Sequence, residues 1–338
     1  MHLHTAERYG IFITLLPSHQ HILPENEGYA LTTKSLKTPK PVNGRLSRSY
    51  IDKMVTVCLF LLIPTVLLVI FTYIPAAEMV KFSFEERDQF GVDVKYVGLQ
   101  NYKTVFETPE YFAAFKNSIY YLFGSFIQLG LALFLATILC SKIRFSNFFK
   151  GVLFFPYMIN TVAVALIFRR FFQKGDGITN TDGTLNSIIT LLGGDPVKFL
   201  STEGLVNICL VFVSIWRYIG FDLVMFIGAI QSVSPDIYEA AELDGANRFQ
   251  VFRYIIAPSI RPIILLQMIL AVKGAISVYE IPFIITGGRF GSSTFVIQTT
   301  ETAFKFQKVG LASAMAVVLF LIIVVVTIIQ KLVFKEDK

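Results

Sequence analysis

Six apolar runs, each about as long as a bilayer-crossing helix, dominate this 338-residue chain and leave it few folds to choose from. A helix rises about 1.5 Å per residue, so roughly 20 apolar residues cover the ~30 Å of hydrocarbon in a membrane. The runs occupy residues 54 to 77, 117 to 141, 150 to 171, 205 to 231, 262 to 286 and 310 to 332. Barrel strands would alternate apolar and polar residues over about ten positions, whereas these runs are continuous, which favours helices. At 54% hydrophobic with 33 Phe, the chain exceeds the roughly 45–50% apolar content of soluble domains. The expectation is an all-α membrane protein, a six-helix domain over residues 50–338 preceded by a flexible cytoplasmic tail at residues 1–49.

The net charge of +6 is scattered through short loops and tails, a pattern that suits a membrane surface and not nucleic acid. Arg45, Arg48 and Lys53 precede the first run, and Lys142, Arg144 and Lys150 fill a short loop without an acid. The positive-inside rule then places the amino terminus in the cytoplasm of a bacterial-type cell. Six crossings put the 234–258 loop and the carboxyl terminus on that side too, with Arg169 and Arg170 at an outer helix end. The tail carries Pro17, Pro24, Pro39 and Pro41, and its apolar piece from Tyr9 to Pro17 lacks the basic start and cleavage site of a signal peptide. His2, His4, His19 and His21 all lie there, where nothing fixes the ligand geometry a metal needs. The membrane body therefore has no histidine for a proton relay, general base or metal site. Cys58, Cys140 and Cys209 fall inside the runs without paired spacing and read as small apolar residues.

Four ionisable residues interrupt the fourth and fifth runs: Arg217, Asp222, Lys273 and Glu280. Facing lipid at mid-bilayer, each would cost about 2.5–3.5 kcal/mol or more, so they should face the bundle interior or a wet cavity. Counting about 1.5 Å per residue from positions 231 and 262, Asp222 and Lys273 lie at matching depths of roughly 14 and 17 Å. Arg217 and Glu280 lie at roughly 21 and 27 Å, so both couples are candidate interhelical charge pairs. Lys273, Ser277 and Glu280 share a helix face by i, i+4, i+7 spacing. Beside Trp216, Tyr218, Phe221 and Tyr279 they form a stripe suited to a sugar, whose hydroxyls need hydrogen bonds and whose C–H faces pack on rings. The same charges can equally be structural locks between two helices. Small residues at four-residue spacing, Ala132 with Ala136 and Gly310 with Ala314, favour close packing within one bundle over a dimer face.

Between the fourth and fifth runs lies a polar helix-turn-helix at residues 234–258. Ser234-Pro235-Asp236 offers a capping hydroxyl, a proline at the first helical position and an acid near the positive helix end. A short helix over residues 235–243 should end at Gly245 in the left-handed conformation, and a second over 247–256 should run until Pro258 interrupts it. Glu239 and Glu242 flank the small Ala240 and Ala241, which would let another protein approach closely. Phe249, Phe252 and Tyr254 stand beside Arg248 and Arg253. Such a mixed surface suits docking on a protein, with a hairpin lying in the lipid headgroups as the competing reading.

The phrase Glu239-Ala240-Ala241, three residues, Gly245, nine residues, Ile255, one residue, Ala257-Pro258 resembles the coupling loop of ABC importer permeases, with Ala257 where that pattern has Leu. Val97-Gly98-Leu99-Gln100-Asn101-Tyr102, Phe154-Phe155-Pro156 and Thr286-Gly287-Gly288 resemble the carbohydrate importer branch of those permeases, so the likeness covers about residues 51 to 334. It implies a second, similar permease, two cytoplasmic ATPase subunits that carry the ATP and Mg, and an external solute-binding protein. It implies that Glu239, with Glu242, Asp244 and Phe249 around it, engages the ATPase, while Gly245 makes the turn. This chain has no Gly-x-x-x-x-Gly-Lys-Ser/Thr phosphate loop, and the glycine-rich stretch at 287–294 follows a membrane run. The chain is thus expected to be a conduit without a cofactor, metal or catalytic residue of its own. An ABC permease for a non-sugar solute and an ion-coupled carrier using Asp222, Lys273 and Glu280 are the alternatives.

Overall fold

In the computed structural model, residues 48–333 are described except for 88, 89, 92, 142 and 176–180, with side chains from residue 53 onward. The tail up to residue 47 with its four histidines, Lys142 and the carboxyl-terminal residues 334–338 lie outside the described residues. The chain divides into two compact units, Met1–Leu62 and Ile63–Lys338. In the first unit, the described part is the start of helix α1 (Arg48–Leu68), whose Met54, Phe60 and Leu61 are exposed.

Helix α1 passes through a π-turn (Val69–Tyr73) into α2 (Ile74–Phe82). The widened turn lies just before Pro75, whose ring would otherwise collide with the carbonyl one turn back. A short hairpin of β1 (Glu85–Arg87) and β2 (Val94–Tyr96) follows, antiparallel with Glu86 opposite Lys95. This two-stranded sheet departs from the all-α expectation. Next come α3 (Gln100–Glu107) and α4 (Pro109–Leu139), then α5 (Ser146–Met158) and α6 (Thr161–Phe171). After α7 (Thr184–Leu191) comes the long α8 (Leu205–Gln231). The polar hairpin is built of α9 (Pro235–Leu243), α10 (Arg248–Val251), a second π-turn (Phe252–Ile256) and α11 (Ala257–Ser259). The chain ends in α12 (Arg261–Ile276), α13 (Glu280–Thr286), α14 (Phe295–Phe304) and α15 (Val309–Val333).

Five helical stretches are long and apolar enough to cross a membrane: Lys53–Phe82, Pro109–Leu139, Leu205–Gln231, Arg261–Thr286 and Val309–Val333. The third apolar run differs from the single helix expected of it. It is the pair α5 and α6, bent by 93°, and it makes a sixth span if the pair counts as one. Ile159 leaves α5 in an extended conformation, and the Asn160 side chain starts α6 afresh by accepting a 2.8 Å bond from the Val162 amide. Hydropathy is blind to such a break, because both halves are apolar.

Helix α8 is the axis of the bundle, packed by α4 and α5, with α12 laid against α4. Two glycines permit this. A Cβ on Gly220 would stand 2.3 Å from the Leu153 carbonyl oxygen of α5, and one on Gly124 of α4 would stand 2.2 Å from Val211. Ala132 and Ala136, fully buried, pack with Leu223, Phe226 and Ile230, so the small-residue stripe serves packing within this chain. Helix α15 packs on α2, α3 and α14, and Gly310 lets the Glu85 carbonyl come close. Asn101 holds that corner by donating to the carbonyls of Ser83 and Glu85 at 3.0 and 2.9 Å.

Candidate functional site

Two features stand out, the exposed hairpin and a cavity inside the bundle. In the hairpin, α9 begins with Pro235 at its first position, but the Ser234 hydroxyl makes no capping bond. The start therefore rests on proline geometry and Asp236 alone. The helix ends as expected: Gly245 is left-handed at φ +74°, the Ala246 amide donates to the Ala241 carbonyl, and the Gly245 amide donates to Glu242. This paired closure satisfies carbonyls that a helix end leaves open. Helix α10 starts with a reciprocal cap that the sequence reading missed. The Asn247 side chain accepts from the Gln250 amide, and the Gln250 side chain accepts from the Asn247 amide, although the spacing Asn-x-x-Gln was there to be read.

Pro258 does not interrupt the second helix. A π-turn directly ahead of it relieves the ring, as at Pro75, and the break falls two residues later at Ile260, before Pro262. Glu239, Ala240, Glu242, Asp244, Gly245, Phe249 and Pro258 are exposed, whereas Ala241 is buried. The alanines thus divide, Ala240 facing outward and Ala241 rooting α9 in the bundle, where the Tyr238 hydroxyl also donates to the Ile230 carbonyl at 3.3 Å. Phe252 turns inward too, leaving Phe249, Tyr254 and the 89% exposed Leu243 on the outside.

The cavity, about 520 Å³, lies between α4, α8, α12 and the start of α13. Tyr218, Phe221, Ser277, Tyr279 and Glu280, candidates for a solute path, line it. Trp216 does not. It projects toward α6 and meets Phe168 edge-on at 5.1 Å. Tyr157 of α5 adds a ring 5.2 Å from Phe221 and 6.2 Å from Tyr218, backing the aromatic wall.

The two expected charge pairs are not formed. Asp222 accepts instead from Gln128 of α4 at 2.5 Å and Gln267 of α12 at 2.9 Å. Arg217 gives its guanidinium to the carbonyls of Ile159 and Pro156, at the bend between α5 and α6. Among the described residues, no ion pair within 4.0 Å joins Asp222 to Lys273 or Arg217 to Glu280. Matching depth left the angle around each helix unspecified. Lys273 follows Gln267 by six residues, which turns it about 120° away from the face toward Asp222 at roughly 100° per residue. The expected Lys273–Ser277–Glu280 face fails for a related reason, since α12 ends at Ile276 and residues 277–279 are not helical. Gln128 and Gln267 were missed because neutral amides barely disturb an apolar run, yet lone glutamines inside apolar spans are themselves a signal of interior polar contacts.

The sequence profile of the binding-protein-dependent transport system inner membrane component matches residues 128–336, a range that holds both the cavity and the hairpin. This chain belongs to that family. It is accordingly a multi-pass ABC transporter permease, a transport subunit and not an enzyme. The permease is 31% identical over 285 residues to the probable ABC transporter permease protein YurN of Bacillus subtilis, covering 82% of this chain and 95% of that one. It is 29% identical over 279 residues to the multiple sugar-binding transport system permease protein MsmF of Streptococcus mutans, covering 80% and 92%. In fold it is similar to a chain of a bacterial alginate ABC transporter solved with an alginate pentasaccharide-bound periplasmic protein. The TM-score is 0.74 at 19% identity, over 85% of this permease and 96% of that chain.

Proposed function

We propose that this permease forms, with a second permease, the membrane path of an ATP-driven importer for a carbohydrate, an oligosaccharide or related polyol. The observation that carries the reading is the cavity, where the rings of Tyr218, Phe221 and Tyr279 face Asp222, Ser277, Glu280 and two glutamines. Rings for C–H faces beside groups for hydroxyls are the chemistry a sugar asks of its site. The name of the sugar-transporting relative points the same way. The path has six crossings, with α5 and α6 acting as one broken span and both termini in the cytoplasm. The solute arrives from an extracytoplasmic binding protein.

In this reading, α9 and α10 are the coupling element. Two cytoplasmic ATPase subunits hold the ATP and Mg, and this chain binds neither. The exposed Glu239, Glu242 and Asp244 orient the contact, and Phe249 and Leu243 anchor it. ATPase closure moves the hairpin, and the hairpin and the cavity bias the same two-state equilibrium between openings to either side.

Uptake into vesicles containing the complete transporter tests this. Labelled oligosaccharide should accumulate only with ATP and binding protein, and Glu239→Lys should abolish both accumulation and co-purification of the ATPase. Uptake that continues without the ATPase and collapses with the proton gradient would instead identify a carrier. An ATPase that still binds the Glu239→Lys variant and drives uptake at full rate would remove the coupling role.

A further inference from the structure

The charged groups of the cavity share one sign, and its glutamines are turned by one of them. Asp222 is buried, 7% exposed, and as a carboxylate it can only accept hydrogen bonds. Both of its oxygens are taken by glutamine NH₂ groups, Gln128 from one side and Gln267 from the other. Pinning each amide by its nitrogen turns each amide oxygen away from the carboxylate. Gln267, only 1% exposed, consequently carries a buried Oε1 with no donor, and it lines the cavity. Tyr121, 5% exposed, lines it as well, and its hydroxyl is buried without a partner. A buried polar atom left unpaired costs about 1–3 kcal/mol, so a small rotation that brings either oxygen to a polar solute in the cavity is favoured.

The charged side chains point the same way. Glu280 is an acid on the wall, and no Lys, Arg or His is among the lining residues. The two cations nearest in sequence are directed elsewhere, Arg217 onto the carbonyls at the α5–α6 bend and Lys273 onto another face of α12.

We propose that the Gln128–Asp222–Gln267 cluster, with Glu280, makes this cavity a reader of hydrogen-bond donors. It admits uncharged, hydroxyl-rich solutes and excludes anionic ones such as uronates and sugar phosphates. The proposal rests on the cavity being the solute path. Hydroxyls of a neutral sugar donate to the amide oxygens and to the free lone pairs of the acids, whereas a carboxylate or phosphate meets two acids and no cation to offset its charge. Asp222 is the specificity-determining residue because it fixes which end of each glutamine faces the solute.

Charged thiol reagents measure this without any sugar. Ser125 and Ser277 line the cavity on different elements and serve as separate reporter sites. Ser125→Cys and Ser277→Cys are made in the complete transporter after Cys58, Cys140 and Cys209 are replaced by alanine. Each is reacted with a trimethylammonium and a sulfonate methanethiosulfonate, with rates normalised to those on a small free thiol. The cationic reagent should be favoured by about tenfold or more, the lower range for a cleft lined by one sign of charge. Asp222→Asn and Glu280→Gln should each lower that ratio clearly. A normalised ratio near one, a preference for the sulfonate, a ratio unmoved by both substitutions, or no reaction at either site would overturn the proposal. A preference for the sulfonate would leave the carbohydrate reading standing if vesicles accumulate an oligosaccharide. A cationic preference in a transporter that carries no sugar would keep the donor selectivity and remove the carbohydrate.

Discussion

Gly220 gives the sharpest test of how the bundle is held. On α8, its absent side chain leaves room for the backbone of α5: an alanine Cβ would lie 2.3 Å from the Leu153 carbonyl oxygen and 2.7 Å from the Phe154 Cα. Both neighbours are backbone atoms, which cannot rotate aside, so Gly220→Ala must push α5 from α8. Overpacking costs about 1–3 kcal/mol, and contact with two backbone atoms puts this case near the upper end. Gly228, on the same helix, has nothing within 4 Å of an added Cβ, so Gly228→Ala is the matched control. Both substitutions gain the same alanine helix propensity, about 1 kcal/mol, which cancels in the comparison. A gap near 3 kcal/mol, at roughly 2–4 °C per kcal/mol for a domain of this size, separates the two melting temperatures by about 6–12 °C. Trp216, the single tryptophan, sits on α8 against Phe168 and reports unfolding by its fluorescence at one fixed scan rate. Equal melting of the two variants, or a lower value for Gly228→Ala, would refute the close approach and with it the packing that seats Arg217 at the bend.

Asp222→Ala and Gln267→Ala should be strongly non-additive, with a coupling energy of about 1–3 kcal/mol for a bond to a charged group, measured by a double-mutant cycle on thermal stability. Asp222→Ala with Lys273→Ala should add within about 0.5 kcal/mol, and a larger coupling would restore the ion pair that the structure lacks. Asn186 is fully buried and bonds the carbonyls of Gln173 and Val197 at 3.0 Å each and the Val197 amide at 2.8 Å. Asn186→Ala should therefore cost about 2–3 kcal/mol through the groups it strands, while Leu191→Ser, on the exposed end of the same helix, should leave the melting temperature in place.

How much of this could be read from the chain depended on whether one residue sufficed to decide a feature. Apolar length located five spanning stretches, because crossing a bilayer is a one-dimensional requirement. Gly245 located the hairpin turn, because a left-handed residue at a helix end needs little besides glycine. The bend at Ile159 and Asn160 was hidden by apolar residues on both sides, and its stabiliser, Arg217, is 58 positions away. The partner of Asp222 was misjudged on the same grounds. Depth follows from counting residues, but the angle around a helix depends on where neighbouring helices stand. That angle depends in turn on Gly124 and Gly220, whose role appears only when another backbone is beside them. Tyr218 and Phe221 reach the cavity wall and Trp216 does not, since a ring beside a polar stripe can face either side of its own helix.

The path from hairpin to cavity is short enough to be mechanical. From the cap at Asn247 the chain runs helically through the π-turn, breaks only at Ile260 and continues as α12 to Ile276. Ile256 and Ile260 are both buried against Leu223, Phe226 and Ile230 of α8, so the break sits in a packed seat and not in a free loop. Seven residues beyond it, about 10.5 Å along the helix, Gln267 holds Asp222 of α8. Gln128 of α4 holds the same carboxylate from the other side. Under the proposed function, force on α9 and α10 meets its first compliant point at the π-turn and the break, where the regular helix is interrupted. Its first rigid load is the three-helix clamp on the cavity floor. A solute that donates hydroxyls to Gln267 loads that clamp from above. The same amide is then pulled by the cargo and by the motor, which is the physical requirement for one to sense the other.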